Sequence, residues 1–203
     1  MYTWLMKKNM MPLGAIYNIV QGTYLKKQPN EDGELERVIR IQNLTGLELG
    51  GEFTEEELAA DKGDRFRVQA GQIVVTLRGM PLKASVVGEA HAGFVINSNF
   101  AVLTAMDETA PFFDPFFVAG LLRSEAYNHL IMPHFAGSTL PALKLSQLKQ
   151  FEIPVVSKEV QQQLGQVFRA LERYQSAVAK LLQEREAQVE AYIGQLMQGG
   201  VVQ

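Results

Sequence analysis

Leu143-Lys144-Leu145-Ser146-Gln147-Leu148-Lys149-Gln150-Phe151-Glu152-Ile153-Pro154, followed by Val155-Val156-Ser157-Lys158-Glu159-Val160-Gln161-Gln162, leads into one apolar-periodic segment that runs to about residue 198. The first part reads as a short amphipathic element. Ile153-Pro154 is its exit, because proline has no backbone N–H to donate and fixes its own φ. Ser157 suits the cap of a long helix, since its hydroxyl can accept a backbone N–H of the first turn. Upstream, Gly137-Ser138-Thr139-Leu140-Pro141 is a small, polar, turn-forming loop.

In the helix, Leu164, Leu171, Val178 and Tyr192 fall on a seven-residue spacing, with Val167, Tyr174 and Leu181 in the companion seam. Phe168, Leu182, Val189 and Leu196 widen the stripe beyond a minimal two-stranded seam. Some 40 residues at ~1.5 Å rise span roughly 60 Å, more than one small domain covers. The stripe therefore either folds along its own domain or pairs with an equivalent helix of another chain, and pairing is the expectation. Charges from residue 158 to 203 balance, five acidic against five basic, so this is not a basic DNA-binding rod.

Residues 1–156 mix strand-like runs with turn signals, and the expected division is a domain over 1–156 and a helix over 157–203. Ile39-Arg40-Ile41-Gln42 alternates apolar and polar like a half-buried strand. Gln72-Ile73-Val74-Val75-Thr76-Leu77 is a β-branched run between Gly71 and Arg78-Gly79. Ala84 to Gly88, Gly93 to Asn97 and Asn99 to Leu103 are further strand candidates. Thr54-Glu55-Glu56-Glu57-Leu58-Ala59-Ala60 has the capping-box pattern of a short helix. Phe116 to Leu130 has helical spacing with Pro115 just before it. The expected fold is mixed α+β with a strand-rich core, followed by one long C-terminal helix.

Composition narrows the chemistry. The chain has 203 residues, 47% hydrophobic and 20% charged, enough for one domain with a real core. With no cysteine, disulfides, thiolate metal sites and cysteine nucleophiles are excluded. Met1 to Met6 is too short for a signal core and Lys7-Lys8 follows it, so no secretory signal is expected. No run approaches the ~18 apolar residues of a membrane span. Net charge is −3, which argues against binding nucleic acid by bulk electrostatics. Glu48 to Asp64 holds seven acids and a single base, Lys62. Any DNA contact must rest on a local patch.

Catalytic signatures are absent or incomplete. Asp114-Pro115-Phe116-Phe117 partly resembles the Asp-Pro-Pro-Phe signature of amino-directed DNA methyltransferases, but the second proline is missing and no glycine-rich cofactor loop precedes it. A proline opening a helix is the simpler reading. His91, His129 and His134 lack metal-ligand spacing. Ser138 lacks a Gly-x-Ser-x-Gly elbow. No catalytic residue, metal or cofactor is expected.

The ordered stretches carry a family likeness. Pro12 to Gly22, an apolar lead ending in glycine, then Ile39 to Leu44, Ala70 to Gly79, the polar turn Ile96-Asn97-Ser98-Asn99, Gly137 to Pro141 and the Ile153-Pro154 exit follow one another in the order found in the DNA specificity subunits of type I restriction-modification systems. The chain resembles one target recognition domain of such a subunit with its spacer helix, and so a half-sized subunit. It departs at Gln72, where an acidic residue is usual. Val156 replaces the second proline of a proline-x-proline exit, and Val160 stands where an acid is common.

The resemblance implies a non-catalytic reader of double-stranded DNA in the cytoplasm. It would direct a methyltransferase subunit, which holds the S-adenosylmethionine, and a restriction subunit where one exists. It also implies paired helices, here a homodimer through Leu164, Leu171, Val178, Leu181 and Tyr192, and a bipartite target. A diverged dimeric scaffold without base readout is the alternative. DNA reading needs cations for phosphates and donors for base edges. Arg78 and Lys83 flank the turn Gly79 to Leu82. Thr23, Lys26 and Lys27 follow Gly22. Arg40 lies on a strand whose Gln42 shares its face, and Ser138 and Thr139 sit in the polar loop.

Overall fold

Ile73-Val74-Val75-Thr76, β-branched at every position, is the strand on which the core is built. The computed structural model describes residues 9–25, 33–59, 66–107, 112–134 and 142–197, and the chain divides into two compact units after Phe168. In chain order the strands are β1 Met10–Pro12, β2 Tyr17–Gln21, β3 Gly33–Ile39, β4 Thr54–Ala59, β5 Ile73–Thr76, β6 Ala84–Val86, β7 Val95–Ile96, β8 Phe100–Ala105 and β9 Glu152–Pro154. The helices are α1 Leu13–Ile16, α2 Pro115–Arg123, α3 Glu125–Ile131, α4 Leu145–Leu148 and α5 Lys158–Met197. The fold is mixed α+β, strand-rich in its first unit, with one long C-terminal helix.

β5 lies inside a four-stranded sheet of order β2-β8-β5-β6, antiparallel throughout. Successive side chains of a strand point to opposite faces. Ile73 and Val75 therefore join one core, with Leu103, Phe117, Val118 and Leu122, while Val74 joins another, with Ile39, Leu44, Ile96 and Phe100. A strand covered on both faces reads as a continuous apolar run rather than an alternating one. A second sheet, β4-β3-β7, borders the second core, with β3 and β7 parallel. β1 and β9 form a two-stranded ribbon.

Asp114 and Pro115 start α2. The Asp114 carboxylate accepts from the N–H groups of Phe116 and Phe117, each at 2.9 Å, and Pro115 occupies the first turn. Gln161, buried on α5, ties the root of that helix to the same place. Its Oε1 accepts from Asp114 N at 3.0 Å, and its Nε2 donates to the carbonyls of Phe112 and Val156 at 2.8 and 2.9 Å. One turn on, Gly165 leaves room for Asp114 and Phe116, and Phe168 fills the hollow over Gly120. Burial, helped by the charge of Glu152, raises the Tyr127 phenol well above its usual value, and it donates to the Glu152 carbonyl at 3.0 Å.

Three local expectations are corrected. Thr54–Ala59 is a strand, not a capped helix. β3 pairs with it from Val38↔Thr54 to Gly33↔Ala59, Arg37 meets Glu55 at 3.2 Å, and Leu58 enters a small cluster with Val38 and Val95. The strand over Ile39–Gln42 ends at Ile39, and Ile41–Asn43 is a 3-10 turn. The helix expected over 116–130 is two. Its first half ends at Ser124, whose hydroxyl accepts from Tyr127 N to start the second.

In the second unit α5 continues unbroken to Met197. Leu171, Tyr174, Leu181 and Tyr192 are all more than half exposed, and Val178 is 38% exposed. No described helix is long and apolar enough to cross a membrane.

Candidate functional site

Asn43 shapes the most chemically distinctive edge of the first unit. It is fully buried; its Oδ1 accepts from Arg40 N at 2.8 Å, and its Nδ2 donates to the carbonyls of Gly50 and Glu52 at 3.1 and 2.9 Å. These bonds turn the chain sharply after β3 and leave Ile41 and Gln42 exposed. The facing wall comes from the turn between β7 and β8. Gln21 donates to the Ser98 carbonyl at 2.7 Å, Thr23 bridges to Asn97, and the Asn97 Oδ1 accepts from Asn99 N at 2.9 Å. Gly22 comes so close to Asn97 that a Cβ there would overlap its carbonyl oxygen. Only glycine permits that approach.

Between these walls lies an open cavity of about 210 Å³, lined by Arg40, Ile41, Gln42, Thr76, Arg78, Asn97, Asn99 and Phe100. Phe100 and Thr76 are buried and form its floor. Gln42, Arg78 and Asn99 are exposed, and their side chains hold no partner among the described residues. The cleft thus presents a guanidinium and carboxamides, groups that can donate to or accept from nucleic-acid base edges.

Of the residues proposed from sequence, Arg40 and Arg78 meet in this cleft, and Thr23 stands against its Asn97 wall. Arg40 is not a free cation. Its guanidinium pairs with Glu56, whose side chain is 9% exposed, and donates to the Thr54 hydroxyl at 3.2 Å. Lys83 lies apart from the cleft lining, and its backbone N–H donates to the Thr76 hydroxyl at 3.1 Å. The turn between Arg78 and Lys83 is tethered as well, since Leu82 is buried and its N–H donates to the Asn128 Oδ1 at 2.7 Å. Lys26, Lys27, Ser138 and Thr139 lie outside the described residues. In the sequence, Asn97 and Asn99 show only a turn. Two amides flanking a serine before a strand were the available signal. Nothing local announced Glu56 as the partner of Arg40. Among the described residues, no three histidine or acidic side chains converge as metal ligands would.

The profile of the type I restriction modification DNA specificity domain matches residues 6–191. The S subunit of a type I restriction-modification system from M. genitalium is similar in structure, with a TM-score of 0.57 and 17% identity over 94% of this chain and 46% of that one. The HsdS subunit from Thermoanaerobacter tengcongensis gives 0.61 and 18%, over 90% of this chain and 46% of that one. A chain solved in work on complex assembly and conformational transition of the type I R-M system gives 0.62 and 17%, over 95% and 46%. At these identities the likeness is one of fold, and this chain spans less than half the length of each. No curated protein sequence matches it.

Proposed function

Because the chain belongs to the family of type I restriction modification DNA specificity domains, we propose that its first unit reads double-stranded DNA through the cleft between Arg40 and Asn99. The cleft itself carries this reading. It gathers Arg78, Gln42, Asn97 and Asn99 at one concave edge, where an arginine can meet phosphate or guanine and a carboxamide can meet adenine. Its floor is the buried Phe100 and Thr76, so its geometry is held by the fold rather than by the ligand.

The chain then serves as a non-catalytic specificity subunit with no cofactor of its own, acting in the cytoplasm. A methyltransferase subunit would supply S-adenosylmethionine and the methyl transfer, and a restriction subunit would be directed in the same way. The reading domain is assigned to residues 1–156 and the spacer helix to 157–203. Two copies would pair antiparallel through Leu164, Leu171, Val178, Leu181 and Tyr192, and a twofold axis would then require a bipartite, inverted target.

Two observations favour a second reading, a dimeric scaffold without base readout: the net charge of −3 and the carboxylate of Glu56 on Arg40. Salt dependence separates the two. Each phosphate contact lowers the slope of log K against log salt by about 0.9. Replacing Arg78 and Lys83 together by Ala should weaken duplex binding and flatten that slope by about one to two, with the melting temperature unchanged. Binding that is absent, or indifferent to salt in the unmodified protein, would leave the scaffold.

A further inference from the structure

Ile41 does not fit its surroundings. It is 51% exposed, yet it lines a cleft whose other exposed members are Gln42, Arg78 and Asn99. A single exposed aliphatic side chain is ordinary on a protein surface. This one, however, is held in place. Arg40 before it is bound by Glu56, Asn43 after it is buried in three hydrogen bonds, and Ile39 and Leu44 on either side are anchored in one core. The turn therefore fixes an apolar surface beside the exposed carboxamides of Gln42 and Asn99.

Major-groove chemistry gives that juxtaposition a use. Only thymine, among the four bases, projects a methyl group into the groove, and its partner adenine offers an acceptor and a donor side by side that match a carboxamide. We infer that Ile41 senses the 5-methyl group of a pyrimidine, with Gln42 beside it matched to adenine, so that this end of the cleft discriminates for an A·T pair. The inference rests on the DNA-reading assignment above. Phosphate contact is the poorer alternative for Ile41, because an aliphatic side chain offers a phosphate nothing. Protein docking is disfavoured because the other exposed residues of the cleft, Gln42, Arg78 and Asn99, are polar.

The test uses the full chain and a pool of randomised duplexes, from which bound sequences are recovered. In the recovered duplex, each thymine is replaced by uracil in turn, and each cytosine by 5-methylcytosine. Loss of one sensed methyl should weaken binding about threefold to fivefold at one position, the weight of a single buried methyl group. In Ile41→Ala that uracil penalty should vanish while the melting temperature stays unchanged. A 5-methylcytosine that strengthens binding through Ile41, with no uracil penalty at any thymine, overturns the A·T discrimination. Recovery of a defined sequence with no methyl dependence, or an equal uracil penalty in Ile41→Ala, overturns the inference but leaves DNA reading intact. Recovery of no sequence at all overturns both.

Discussion

At the residue scale, the side chains exposed in the cleft and the side chain that shapes its turn are different ones. Asn43 never reaches the cleft, yet it positions the Arg40–Gln42 segment that does. Leaving buried backbone groups without partners costs about 1–3 kcal/mol each. Asn43→Ala should lower unfolding stability in urea by about 2–4 kcal/mol, and it should weaken DNA binding more than Lys83→Ala, although Lys83 carries a charge. A variant with unchanged urea midpoint would show that the turn holds its shape without that side chain. This role was not legible in the sequence, where Asn43 is one polar residue in a polar bend. Arg78 was legible, because an arginine beside a glycine after a β-branched run marks a strand end. The pairing of Arg40 with Glu56 was hidden, because Arg40 follows β3 and Glu56 lies on β4, and no local pattern reveals that those strands pair.

At the element scale, Thr54–Ala59 shows why local signals can mislead. Three consecutive glutamates after a threonine favour a helix, but helix propensity is worth only a few tenths of a kcal/mol per residue. Cross-strand pairing with β3, the Arg37–Glu55 contact and the burial of Leu58 outweigh it. β5 and the long α5 were legible because their patterns are extended and consistent, one a β-branched run and the other a stripe repeated over many turns. The root of α5 was only half legible: Ser157 marked the start, while Gln161 read as one of several glutamines. Gln161→Leu would strip partners from Asp114 N and from the carbonyls of Phe112 and Val156. It should destabilise the first unit by on the order of 2 kcal/mol, measured by denaturant unfolding, with the helical circular-dichroism signal retained.

At the scale of the whole molecule, the apolar stripe of α5 stands exposed in the single chain. Burying one leucine stabilises by roughly 1.5–3 kcal/mol, and Leu171, Leu181 and Leu196 are each more than half exposed. Replacing Leu171 and Val178 by Asp should convert a dimer to a monomer in sedimentation at micromolar concentration, with the first unit still folded. A monomer before substitution would refute the pairing. The turn pinned by Asn43 has one more consequence. Ile41, Gln42, Arg78 and Asn99 are all exposed, while Ile39, Asn43 and Leu44, which hold the turn around Ile41 and Gln42, are buried. Change at those four positions is therefore uncoupled from folding, so target preference can drift or be redirected through successive substitutions, each passing through a protein that still folds.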